Sequence, residues 1–520
     1  VGAGEDRRPH AVVIGAGFGG LAAAVRLGVR GYRVTVLDRL DQAGGRAYVR
    51  RREGFTFDSG PTVITAPQLF EELWELCGKK LADHVDMRPV TPFYRIRFSD
   101  GQIFNYTGDG AGMREEVRKI SPADVSGYEK FLKKSEEIFR VGFEQLAHVP
   151  FGSWGAMARI VPEMMKLGSF RSVHGMVAQY VKDERLRQVL SFHPLLVGGN
   201  PFSTTSIYTL IAFLERKWGV HFPIGGTGAL VEGLVELITG LGGSVRLGAE
   251  IERIQVESVG GKSRAVGVRL KDGSFVAADL VISNADSAWT YRYLLSPDAR
   301  AKWTDRKVES MRYSMGLFVW YFGTKKQFPD VAHHTILLGP RYRGLLGDIF
   351  DRQVLADDFS LYLHRPTATD PSLAPEGCDA FYVLSPVPHL GSGTDWRKAA
   401  EPYRLQIERY LETSVLPGLR ESLVVSETLD PQGFHDTLGA FRGAAFGMEP
   451  VLTQSAYFRP HNESEDVENL FLVGAGTHPG AGVPGVLSSA RVLDTLVPPA
   501  AAWNAEPAVR RKAMSGASRT

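Results

Sequence analysis

The chain has 520 residues, too many for one hydrophobic core, so two or three domains around a shared interior are expected. Its 60 basic and 58 acidic residues leave a formal net charge of +2, which excludes the basic field of a nucleic-acid binder. A content of 44% hydrophobic and 23% charged residues excludes a disordered chain.

Residues 1–8 show no apolar core of signal-peptide type, and no stretch approaches about 18 uninterrupted apolar residues. A spanning helix is therefore not expected, and the expected location is the cytosolic side, compatible with lying on a membrane. Residues 11–14 read as a short buried strand, followed by Gly15-Ala16-Gly17-Phe18-Gly19-Gly20, a helical run over 21–30 and a second strand over 32–37 ending at Asp38. That order is the one a dinucleotide site requires. Gly15 permits the tight turn, Gly17 removes a side chain where pyrophosphate must come close, and Gly20 lets the helix pack on the sheet. Asp38 is expected to accept the 2′-hydroxyl of an adenosine ribose and to disfavour NADP. Gly44-Gly45-Arg46 suggests backbone folded against the ligand, with Arg46 either pairing with pyrophosphate or simply exposed. Residues 54–57 read as a strand entering Asp58-Ser59-Gly60-Pro61, which either closes over the ligand or only ends the strand.

From Gly15 to Arg46 the sequence resembles the amino-terminal half of the flavin amine oxidase and carotenoid desaturase superfamily. It departs in carrying Asp38 where glutamate is usual, and the shorter acid should keep the ribose contact. Cys77 and Cys378 lack the spacing of a disulfide framework or a zinc site and read as small buried hydrophobes. Residues 93–98 and 102–106 predict two strands around Asp100-Gly101, and a helix is expected after Ser121 up to 139.

Between 143 and 180, Phe151, Trp154, Met157, Ile160, Met164, Met165, Leu167, Phe170 and Met176 are interspersed with Arg159, Lys166 and Arg171. That pattern suits a membrane-interfacial segment, or else a methionine-rich helix pair in the core. The runs 193–202 and 218–228 resemble substrate-domain signatures of bacterial phytoene desaturases. His193 and His221 lack a local partner for a triad or metal set and read as structural or orienting, and no metal motif is visible. Residues 244–253 predict one strand, with Ile251 and Ile254 near adenine; Phe318, Trp320, Tyr321 and Phe322 suit a tunnel wall or sheet packing.

The sharpest signal is Gly474-Ala475-Gly476-Thr477-His478-Pro479-Gly480-Ala481-Gly482-Val483-Pro484-Gly485-Val486, between a strand at 470–473 and a helix at 485–496. So many glycines suit a backbone lying against a planar or phosphate-bearing ligand. This run resembles the carboxyl-terminal flavin signature of bacterial-type phytoene desaturases. Ala475 and Thr477 stand where related flavoproteins often carry an acid, which would leave that contact to the backbone and Thr477.

The resemblance implies an α/β fold: a Rossmann-like FAD-binding domain with an inserted mixed α+β substrate domain and a membrane-associating helical region. The expected segments are FAD-binding at 9–90, 223–300 and 461–497, substrate and membrane region at 91–222, returning substrate domain at 301–460, and a flexible tail at 498–520. FAD would be held by Gly15, Gly17, Gly20, Asp38, Gly45, Arg46, Ile251, Gly474, Gly476, Thr477, Gly482 and Val483. The implied activity is stepwise desaturation of phytoene by hydride transfer to flavin. Its partners would be a membrane-dissolved carotenoid, the lipid bilayer and a quinone or dioxygen as electron acceptor, with no nucleic acid. The proton acceptor is not identified; Asp58, His193 and His478 are the candidates. Another carotenoid desaturase or isomerase, or a non-catalytic isoprenoid-binding protein, are the alternatives.

Overall fold

The structure is a computed structural model that describes residues 7–152 and 154–503. One layer is a five-stranded parallel sheet in the order Leu470–Leu472, Leu280–Ser283, His10–Ile14, Arg33–Leu37, Ser244–Arg246. Parallel strands are covered on both faces by their crossovers, so their side chains need not alternate; every residue of His10–Ile14 and of Leu280–Ser283 is buried. Helix Phe18–Val29 packs against helices Thr227–Gly240 and Val483–Leu496. Its close seat on the sheet depends on Gly20, where an added Cβ would meet the Gly15 carbonyl oxygen at 2.0 Å. Ile14 lies in register with both Leu37 and Ser283, and Ser283 with Leu472, so the loops after these strands open on one edge.

A second sheet has seven strands in the order Leu423–Leu429, Gly316–Thr324, Asp379–Val387, Leu361–His364, His334–Leu337, Tyr94–Arg97, Ile103–Tyr106. Only His334–Leu337 and Tyr94–Arg97 run parallel in it. Side chains alternate across a strand: Phe318, Trp320 and Phe322 pack beneath helix Trp396–Ser414, whereas Leu317 and Val319 face the interior cavity. The aromatic run is thus sheet packing and not a tunnel wall. Tyr321 shares the inner face but is held by donating to the Ser59 carbonyl at 3.1 Å.

The strand expected over 244–253 is two strands in different sheets. Ser244–Arg246 closes the parallel sheet, and Ile251–Val259 pairs antiparallel with Lys262–Leu270 after a turn at Gly248, whose φ is +65°. The tail expected from 498 is docked as far as 503. Tyr32 donates to the Pro498 carbonyl, the Ala500 amide donates to the Arg30 carbonyl, and Trp503 is buried beside Tyr32. Cys77 and Cys378 are half-buried free thiols. Among the described residues no helix is long and apolar enough to cross a membrane.

Candidate functional site

A cavity of about 540 Å³ begins at the edge where the parallel strands end and continues into the space between the two sheets. Of the residues expected to hold a cofactor, Gly15, Gly17, Asp38, Gly45, Arg46, Ile251, Gly474, Gly482 and Val483 line it. Gly20, Gly476 and Thr477 do not. Gly20 serves helix packing, as its role in the motif anticipates, and a Cβ on Gly476 would lie 2.4 Å from the Ser287 hydroxyl. Thr477 is buried and donates to the Pro460 carbonyl at 2.7 Å, so the contact assigned to its side chain is spent inside the protein. Ile254 is core rather than cavity wall.

The first turn is built by backbone. Gly15, at φ +94°, donates to the Leu37 carbonyl, and Gly44 donates to the Ala16 carbonyl at 2.8 Å, folding Gly44-Gly45 against Gly17. The Asp38 carboxylate accepts from the amides of Ala16 (2.6 Å) and Leu40 (2.8 Å). Burial raises its pKa, and those amides oppose the rise. Asn284, to which the sequence assigned no role, lies between this turn and the late glycine loop: its amide donates to the Gly15 carbonyl, and Cβ atoms on Gly19 or Gly474 would strike its side-chain oxygen. Arg46 and Asp286 face the same cavity with Nε and Oδ2 unpartnered. Burial presses the Arg46 pKa down and the Asp286 pKa up, each opposed by the other's charge. These features fit a dinucleotide: a bare backbone cradle, an unsatisfied guanidinium, and the amino ends of helices Phe18–Val29 and Val483–Leu496 turned toward one space.

The late glycine loop owes its shape to Arg459, which the sequence reading missed for want of any local motif. Its fully buried guanidinium donates to the carbonyls of Gln454, Ala475, Met448 and Thr477.

Away from the glycine turns the cavity wall becomes apolar, with Phe151, Leu196, Leu317 and Val319. Helix Trp154–Leu167 supplies part of it. Met157, Ile160 and Met164 face the cavity, and Val161 and Met165 are exposed on the adjoining flank. Phe170 is exposed as well, but Phe151, Leu167 and Met176 are buried, so the 143–180 segment is part core and part surface. The Trp154 side chain lies outside the described residues.

The three candidate proton acceptors diverge. Asp58 is buried away from the cavity, accepting from the Thr227 amide and hydroxyl at 2.9 and 2.8 Å, and burial lifts its pKa to about 6. His193 is also off the wall, bound to Glu215 at 3.1 Å; Tyr94 donates to the same carboxylate at 2.6 Å. His478 lines the cavity, with Nε2 2.9 Å from the Leu146 carbonyl oxygen. The fold also gathers His333, His334 and His364, which show no metal spacing in the sequence, so that ring nitrogens lie within 4.8 Å of one another. The rings of His334 and His364 lie 17° from parallel with centres 5.4 Å apart. His333 bonds Thr369 and His364, and His334 bonds Tyr362, a hydroxyl on the cavity wall.

The family model for flavin containing amine oxidoreductases matches residues 18–492. A lycopene-forming phytoene desaturase of Pantoea ananas is 52% identical, covering 93% of this chain and 98% of its own. A neurosporene-forming phytoene desaturase of Cereibacter sphaeroides is 50% identical over 96% of this chain and 97% of its own. Among solved structures, an oxidoreductase from Methanosarcina mazei shares the fold with a TM-score of 0.60 at 20% identity, covering 93% of this chain and 99% of its own.

Proposed function

Since the chain belongs to the flavin-containing amine oxidoreductase family, on the branch of the bacterial phytoene desaturases, we propose that it desaturates phytoene stepwise to neurosporene, lycopene or a related polyene with FAD as cofactor. The observation that carries this reading is the continuity of one cavity from the glycine-turn crevice to an apolar arm. When bound, FAD supplies a two-electron hydride acceptor.

The chain's own residues bind and orient. Gly15, Gly17, Gly45 and Arg46 would hold the pyrophosphate, Asp38 the ribose and Ile251 the adenine, while Gly474, Gly482 and Val483, which line the same cavity, would hold the flavin half. Phytoene offers no polar handle, so the apolar walls position it by shape and exclude water. Each desaturation lengthens the conjugated system, and a smooth apolar arm lets the chain slide to present its next saturated bond.

We place the protein on a bilayer surface as a peripheral protein of the cytoplasmic side, passing its electrons to a quinone or dioxygen. Exposed Val161, Met165 and Phe170 beside Arg159, Lys166 and Arg171 support the membrane contact. The test is anaerobic incubation of FAD-loaded protein with phytoene in liposomes, adding a quinone and following flavin absorbance and extracted products. Phytoene-dependent bleaching with products two hydrogens poorer per step is expected; isomerisation without hydrogen loss would overturn the reaction type.

A further inference from the structure

We infer that His478 is the proton acceptor of the desaturation, taking up at Nδ1 the proton that leaves beside the departing hydride; this rests on the FAD-dependent desaturation proposed above. Removing hydrogens from two neighbouring carbons requires two exits. One hydrogen leaves with both electrons of its C–H bond, for the oxidised flavin, and a cation spreads over the adjoining double bonds. The other leaves as a proton, and the electron pair of its broken C–H bond becomes the second bond of the new C=C. That proton needs a lone pair within reach.

His478 offers one whose position is fixed by geometry. A carbonyl oxygen only accepts, so Nε2, 2.9 Å from the Leu146 oxygen, carries the ring hydrogen and leaves the lone pair on Nδ1. Among the described residues Nδ1 has no hydrogen-bond partner, and His478, only 7% exposed, lines the cavity. The edge-to-face contact with Phe151 at 4.6 Å holds its plane. Other acids on the wall are placed differently. Asp38, Glu250 and Asp286 stand with the glycine turns and Arg46, and Glu215 has both oxygens taken by Tyr94 and His193. A hydrogen beside a carbocation is acidic enough for a weak base. Burial, with Arg459 nearby, holds the His478 pKa down to about 4, which keeps the ring neutral and lets it release the proton again.

Nitrogen-15 spectra of the histidine-labelled, flavin-loaded protein should show His478 with a bare Nδ1 and a protonated Nε2 at neutral pH. His478→Gln keeps an N–H for the Leu146 carbonyl but removes the imidazole. It should retain full flavin content while phytoene-dependent bleaching slows by roughly 100-fold or more. In His478→Gly, added imidazole should restore part of the rate. A proton found on Nδ1, a His478→Gln rate within about three-fold of the parent, or loss of bleaching on Glu215→Gln with His478→Gln unaffected would each overturn the assignment. Unaltered protein that binds flavin but is not bleached by phytoene would instead overturn the desaturase reading, and the step assigned to His478 with it.

Discussion

Replacing Gly17 and Gly20 singly by alanine should separate loss of cofactor from loss of fold. Gly17 has φ −77° and ψ 171°, a conformation open to any residue. A Cβ there would meet only the Asn284 side-chain nitrogen at 3.1 Å and the Gly44 carbonyl at 3.7 Å. Losing a glycine cap adds several tenths of a kcal/mol, so the flavin-free protein should lose less than about 1 kcal/mol. The new methyl would stand at the cavity edge where pyrophosphate is proposed to bind, and FAD affinity should fall at least about 10-fold, or 1.4 kcal/mol. In Gly20→Ala, by contrast, the Cβ lies 2.0 Å from the Gly15 carbonyl oxygen, more than an ångström inside a contact of about 3.5 Å. Overpacking of about 3 kcal/mol less about 1 kcal/mol gained in helix propensity leaves a net loss of about 2 kcal/mol even without flavin. Urea unfolding of both variants with and without FAD, together with flavin titration, measures the two effects. The reasoning is refuted if Gly17→Ala destabilises the flavin-free protein as much as Gly20→Ala does, or if it keeps parental flavin affinity.

Buried histidines should make the protein sensitive to mild acid. His333 is held down to about 3, and His389 and His478 to about 4, each chiefly by burial, so the unfolded chain binds protons that the folded one refuses as pH falls below 6.5. By pH 5 each should remove about 2 kcal/mol, while Asp58, raised to about 6, returns about 1 kcal/mol because its folded carboxyl protonates first. His389→Asn keeps an acceptor for the Gly391 amide and should shrink the stability drop between pH 7 and 5 by about 2 kcal/mol; an unchanged drop in urea titrations would reject the linkage. Replacing Met165 and Phe170 by serine should weaken sedimentation with anionic liposomes severalfold and change stability by less than about 0.5 kcal/mol, because both are more than half exposed. Equal sedimentation would place the membrane contact elsewhere.

The nucleotide half was legible because its chemistry is local. Strand, glycine turn, helix and Asp38 occupy one short stretch, and the fold shows the tight turn expected at Gly15 and the close helix approach expected at Gly20. Thr477 misled because its neighbourhood in the loop was visible but its rotamer was not; the Pro460 carbonyl that claims its hydroxyl comes from a turn the motif does not include. Arg459, Asn284 and the Glu215–His193–Tyr94 cluster escaped for a related reason. Asn284 and Tyr94 meet partners distant in the chain, Tyr94 and Glu215 being 121 positions apart, while Arg459 binds nearby backbone carbonyls that no residue type announces.

The segment 143–180 shows a further limit. Membrane contact and core packing were rival readings of the same methionines, and the structure divides the segment between cavity wall, core and exposed surface. Helix Trp154–Leu167 turns Met157, Ile160 and Met164 to the cavity and leaves Val161 and Met165 exposed on the adjoining flank. One wide apolar face spans both groups, and its periodicity alone does not report where the covered part ends and the exposed part begins. With the proposed membrane seat, a hydrocarbon substrate would give that arrangement a purpose: each methylene exposed to water costs about 0.8 kcal/mol, and a helix that is both bilayer contact and cavity wall would let such a chain pass between apolar surroundings without crossing an aqueous gap. Had the inner face been polar, the same exposed residues would argue only for anchoring.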